Sequence, residues 1–189
     1  MRNMITGIIS ILCYLQCFGT LSASVTAKNE NGNFVLKNKN VELVFANGKE
    51  FLFKEFRMDG MNILPVNGST THPWQLIYRG PNGENPTLMP RWGEYKGGEI
   101  QKTQDASTLI FTWQMVIDAG PTCPVRILVT LGKDAELPEW RIEAEMPEGW
   151  VITESEFPRI AVNRPEGAKG ILPVGFGTEY TIGNSTDAS

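Results

Sequence analysis

Apolar and polar residues alternate with a period of two along most of this chain, most regularly between residues 108 and 162. In 108–117, Leu109, Phe111, Trp113, Met115 and Ile117 fall on one side, with Thr108, Thr112 and Gln114 on the other. That is the arrangement of a half-buried strand. Residues 138–146 repeat it: Trp140, Ile142, Ala144 and Met146 alternate with Glu139, Arg141, Glu143 and Glu145, so one face is apolar and the other charged. Segments 125–131 and 150–157 complete four successive strands separated by Gly, Pro, Asp and Glu turns, which predicts an antiparallel meander. Trp113 and Trp140 alternate with apolar partners and are expected in the core. Trp74 and Trp150 could serve either the core or its rim.

The remaining segments read the same way. Residues 33–37 and 41–45 predict a hairpin across Asn38, Lys39 and Asn40, and Asn47-Gly48 is a turn before a third strand over 50–58. There Phe51 and Phe53 share a face, and Phe56 joins them only if a bulge shifts the phase. Residues 73–79 predict another strand, followed by a long Gly- and Pro-rich loop over 80–98 that carries Trp92 and Tyr95. A hairpin over Asp105-Ala106 and a Gly-interrupted strand pair over 171–182 complete the set. No stretch has the periodicity of an ordinary helix, and no internal repeat is evident. The expected fold is an all-β antiparallel sandwich over 34–183, with a flexible, turn-rich segment at 24–33 and a polar tail at 184–189.

Residues 1–23 combine one basic residue, Arg2, an apolar run and small residues at Ser22, Ala23 and Ser24, the chemistry of a secretory signal peptide cleaved after Ala23. A membrane anchor fits less well, because Gln16 and Gly19 interrupt a run that is short for a span. A lipoprotein with Cys17 lipidated would place the bulky Gln16 where a small residue is expected. Export to the periplasm, cell surface or exterior follows. Cleavage removes Arg2 and no acid from 17 basic and 21 acidic residues, leaving 16 against 21, a net charge of −5. Such a surface disfavours nucleic acid and anionic membranes as partners. Cys13 and Cys17 leave with the signal, so Cys123 has no partner for an internal disulfide and reads as a buried packing thiol.

A run of framework residues then resembles a known architecture. Leu131-Gly132, then Leu137-Pro138-Glu139-Trp140-Arg141-Ile142, the segment from Trp150 through Phe157-Pro158-Arg159-Ile160, and Leu172-Pro173-Val174-Gly175-Phe176-Gly177 are similar to the N-terminal β-sandwich of bacterial glycoside-hydrolase-like proteins. The segment from Phe34 to Phe45 is similar to the first hairpin of the same domain. In those proteins a galactose-mutarotase-like supersandwich precedes a (β/α)-barrel that carries the chemistry. The resemblance implies a glycan-processing context and a catalytic barrel as partner domain, located beyond Ser189. It transfers no active site, and the sandwich itself is expected to be incomplete.

Enzymatic alternatives find little support within the chain. Sugar epimerases of the mutarotase fold use histidine with a carboxylate as acid and base, and this chain has one histidine, His72, at a strand entry where a solvated turn histidine is the plain reading. Glu154 and Glu156, two apart on one strand face, could approach as a glycosidase pair, but neighbours on one face lack the opposed placement around a sugar that both hydrolytic routes require. No nucleophile elbow, phosphate loop or zinc-ligand spacing is present, so neither metal nor cofactor is implied.

Glycan contact is the local activity the residues suit best. Sugar C–H faces stack on aromatic rings while hydroxyls need convergent polar groups, and Arg91, Trp92, Glu94 and Tyr95 offer that combination. The competing reading is a loop that folds these aromatics onto the sandwich as a lid, or against a neighbouring domain. The expectation is a non-catalytic accessory sandwich of an exported glycoside-hydrolase-like protein. A stand-alone carbohydrate-binding module, or a small hydrolase or epimerase using Glu154 and Glu156, are the alternatives. Asn67-Gly68-Ser69 and Asn184-Ser185-Thr186 match the N-glycosylation pattern, which matters only in a eukaryotic secretory host.

Overall fold

The computed structural model describes residues 24–65, 72–117, 120–162, 169–172 and 178–181. The expected signal peptide, both acceptor sequences and the polar tail lie outside the described residues. The strands in chain order are β1 (Thr26–Glu30), β2 (Asn33–Lys37), β3 (Val41–Ala46), β4 (Phe53–Met58), β5 (Met61–Asn62), β6 (Gln75–Arg79) and β7 (Thr87–Leu88). After a 3-10 turn at Pro90–Trp92 come β8 (Glu94–Lys102), β9 (Ala106–Val116), β10 (Thr122–Gly132), β11 (Glu139–Ala144), β12 (Val151–Glu156), β13 (Lys169–Leu172) and β14 (Thr178–Thr181). No α-helix occurs among the described residues. The fold is an all-β antiparallel sandwich, as the alternation predicts.

One sheet runs β1-β2-β3-β4-β5 and the facing one β11-β10-β9-β8. The β2–β3 hairpin turns across 38–40 as expected. In the β3–β4 ladder Phe45 opposes Phe53 while Val44 opposes Glu55, so Lys54 is the extra residue of a bulge. That shift lets Phe53 and Phe56, three positions apart, both turn inward and bury, whereas strict alternation would have exposed one of them. In β9 and β10, Leu109, Phe111 and Trp113 lie opposite Val129, Ile127 and Val125, and all six are buried.

Aromatic rings carry the contact between the two sheets. Phe34, Phe45 and Phe51 surround Phe111 at centroid distances of 5.8, 4.9 and 5.0 Å, and Phe45 stacks on Phe53 at 4.5 Å. Such pairs add about 0.5–1.5 kcal/mol each beyond the area they remove from water. Trp140 is half-buried and packs on Phe45 and Phe53, at 6.1 and 5.6 Å. On the opposite face of β11, Arg141 and Arg126 both pair with Glu143, and Arg126 also reaches Glu145, at 3.0 Å. This is the solvated charged row the pattern predicts.

Three expectations need correction. Residues 24–33 are not a flexible leader, because β1 pairs along its whole length with β2 and buries Ala27, so the sandwich begins at Thr26 rather than at residue 34. The segment 80–98 is not one long loop, because β7, the 3-10 turn and the start of β8 lie within it. The last predicted meander strand also leaves the meander. β12 pairs with β6 in a third sheet, β12-β6-β7. Trp150, just before β12, explains the change: its ring lies 5.4 Å from that of Tyr78 and occupies the space where a side chain at position 80 would stand, so Gly80 lets it draw the chain across to β6. The third sheet joins the main core through buried Trp74, which meets Trp113 edge-on at 5.9 Å. β13 and β14 pair with each other, as predicted for the C-terminal strand pair.

Candidate functional site

A cleft of about 480 Å³ opens where three separate segments meet. Lys49, Glu50 and Phe51 come from the turn between β3 and β4, His72 from the entry to β6, and Pro90, Arg91, Gly93, Glu94 and Tyr95 from the 3-10 turn and the first residues of β8. Trp113 of β9 is part of the floor.

Local chemistry fixes the third segment. Pro90 sits at the start of the 3-10 turn, where its locked φ suits the geometry, and the amides of Trp92 and Gly93 donate to the carbonyls of Met89 and Pro90 at 3.0 and 3.2 Å. Gly93 then passes so close to β9 that a β-carbon would collide with Met115 Sδ and stand 3.0 Å from the Gln114 carbonyl oxygen. Two residues later Tyr95 opposes Trp113, and a bulge at Lys96 is relieved by Gly97, whose φ of +104° disfavours other residues.

The result is an aromatic floor under a charged rim. Phe51, Trp113 and Tyr95 form the floor, with Trp113 5.5 Å from Phe51 and 5.2 Å from Tyr95. Trp113 is only 2% exposed, so it belongs to the core as much as to the cleft. The Tyr95 hydroxyl is buried with no hydrogen-bond partner among the described residues, and burial pushes its pKa well above the usual tyrosine range. On the rim Glu94 is held by Lys96 at 2.5 Å. Trp92 stands beside the cleft, 51% exposed, with the Arg91 guanidinium 5.0 Å over its ring.

Arg91, Glu94 and Tyr95 therefore meet in one cleft, and Trp92 adjoins it as an exposed platform. Tyr95 has folded its ring onto the sandwich, the lid-like alternative for that residue, whereas Trp92 has not. His72, read from sequence as a solvated turn residue, is half-buried in the cleft wall. Lys49, Glu50, Phe51 and Trp113 were not identified from sequence as site residues. Only the turn signal at Asn47-Gly48 hinted that 49–51 would lie at a sheet end. Glu154 and Glu156 lie elsewhere, on the edge strand β12, all of whose residues are exposed, and Glu156 pairs with Arg159 at 3.3 Å. They are not gathered around a concavity. Among the described residues no group of three or more His, Cys, Asp or Glu is assembled as a metal site requires.

Over 181 residues the chain is 99% identical to a Bacteroides thetaiotaomicron protein described as "Putative glycoside hydrolase". The match covers 96% of this chain and 27% of that relative. The chain thus spans about a quarter of the length of the curated relative it matches. No family model and no solved structure matches it.

Proposed function

We propose that this chain is a non-catalytic accessory sandwich of an exported glycoside-hydrolase-like protein, of the galactose-mutarotase-like kind, and that its cleft contacts glycan. The observation that carries the reading is the cleft itself: three aromatic rings set beneath Lys49, Glu50, Arg91 and Glu94, with Trp92 exposed at the side. Rings that offer flat apolar faces, and charged groups that meet hydroxyls, are what a sugar surface requires. The near-identity to part of a longer glycoside-hydrolase-like protein supports the same context and makes a catalytic barrel the natural neighbouring domain. Export to the periplasm, cell surface or exterior rests on the chemistry of residues 1–23.

The test is calorimetric titration of the purified chain with a panel of oligosaccharides, beside the Trp92→Ala variant. Binding that falls at least tenfold in the variant, at an unchanged melting temperature, supports the reading. No binding across the panel, or binding indifferent to Trp92→Ala, overturns the glycan part. Turnover of a glycoside by the purified chain, abolished by Glu154→Gln or Glu156→Gln, would overturn the accessory role.

A further inference from the structure

The rim of the cleft is unevenly neutralised. In a chain of net charge −4, many cations outside the cleft find acids: Lys37 pairs with Glu42 at 3.0 Å, Arg57 with Glu55 at 2.7 Å, Arg126 with Glu143 at 3.2 Å, and Lys133 with Asp105 at 2.5 Å, while Lys54 and Arg79 bond instead to the amide oxygens of Asn33 and Asn85. Lys49 and Arg91 line the cleft, and among the described residues neither takes part in an ion pair. Of the acids beside them, Glu94 is already matched by Lys96. Glu50 is the remaining acid of the rim, so two unmatched cations face one unmatched carboxylate.

Arg91 is also held in a way that leaves its donors available. The guanidinium carbon lies 5.0 Å from the centre of the Trp92 ring, while its N–H groups are not taken up by any carboxylate among the described residues. A planar fork of this kind suits the two oxygens of a carboxylate or sulfate, and a ring beneath it limits the side-chain freedom lost on binding. Both cations stand above the aromatic floor.

Resting on the reading of the cleft as a glycan contact, we infer that it selects acidic saccharides, with Arg91 and Lys49 receiving a carboxylate or sulfate carried on the sugar while Trp92 and the floor take its C–H surface. The unmatched positive charge favours an anion, and the acidic surface around it restricts that preference to the cleft.

The test compares three oligosaccharides of equal length by calorimetry on the purified chain: an oligogalacturonate, a sulfated galactan and their neutral galactan counterpart, each at low and at high salt. The expected result is that at least one acidic ligand binds about tenfold or more tightly than the neutral one, and that this advantage shrinks in salt. Whether the uronate or the sulfate shows it identifies the acid. Arg91→Gln and Lys49→Gln should each lower the acidic-to-neutral affinity ratio, and the double variant should bring it to about one. Lys102→Gln, at the far end of β8, should leave the ratio intact. Both cleft residues are exposed, and circular dichroism melts would verify that the variants remain folded. Equal binding of neutral and acidic ligands, still dependent on Trp92, overturns the inference and leaves glycan contact standing. A ratio unmoved by the double variant also overturns it. Absence of all binding overturns both.

Discussion

The side-chain amide of Asn38 donates to the carbonyl of Ala135 at 2.8 Å, across 97 positions of sequence. The same amide donates to the Gly132 carbonyl at 2.9 Å, while Oδ1 accepts from the backbone amides of Asn40 and Val41 at 2.9 and 2.8 Å. One buried side chain thus satisfies its own hairpin turn and ties it to the turn that follows β10. Asn38→Ala should cost about 3 kcal/mol, since it leaves several polar groups without partners. Asn38→Asp should also destabilise, because a carboxylate cannot donate to two carbonyls. Urea titration would show either change as a lower midpoint at constant slope; a midpoint equal to that of the parent would contradict the assignment.

Gly93 sets how closely the 3-10 turn approaches β9. Gly93→Ala should destabilise the fold by about 1–3 kcal/mol, as expected for overpacking, and should weaken ligand binding by displacing the rim. Gly48→Ala makes the useful comparison, since a β-carbon there meets nothing within 4 Å. Its effect should stay within about 0.5 kcal/mol. Thermal melts of the two variants, with comparable losses, would refute the close-approach argument.

Tyr95 should make the protein sensitive to alkali. Its folded pKa lies above the unfolded value of about 10, so its neutral form is the one the fold accommodates. Above pH 10 the unfolded chain releases a proton that the folded chain retains, and stability should fall as pH rises further. Below that point no loss from Tyr95 is expected. Tyr95→Phe removes both the titration and the unpartnered hydroxyl, and should raise stability at neutral pH by about 1 kcal/mol while flattening the alkaline decline. Denaturation series at pH 7 and above pH 10 measure both effects.

Cys123 should be chemically silent until the sandwich opens. Its thiol is buried, lies 3.6 Å from Met146 Sδ, and has its pKa raised mainly by burial. In a Cys13→Ser/Cys17→Ser background, where Cys123 is the remaining thiol, a thiol-specific chromogenic reagent should therefore react at the rate of unfolding, and rapidly in denaturant. Immediate stoichiometric reaction with the native protein would contradict this placement.

Legibility in the sequence followed the range of the interactions. The inward row of β9 could be read because alternation is written in consecutive residues, and the inward turn of Phe56 could be tied to a bulge because Phe51 and Phe53 already fixed the phase. β1 escaped notice because its sequence, Thr-Ala-Lys-Asn-Glu, buries only Ala27 and owes its place to backbone pairing with β2. The departure of β12 was hidden for a related reason: Trp150 finds Gly80 and Tyr78 some 70 positions away. The cleft was half legible. Arg91, Glu94 and Tyr95 stand close together in sequence, whereas Phe51, His72 and Trp113 join them only through folding.

Trp113 is a structural pillar whose exposed sliver is also the bottom of the cleft. A glycan bound as proposed would therefore touch a surface held in place by Trp74, Phe51 and Tyr95 before it arrives. Little ordering entropy remains to be lost at that contact, so association there resembles a key meeting a finished lock. Any change that loosens the interior is thereby transmitted to the docking floor.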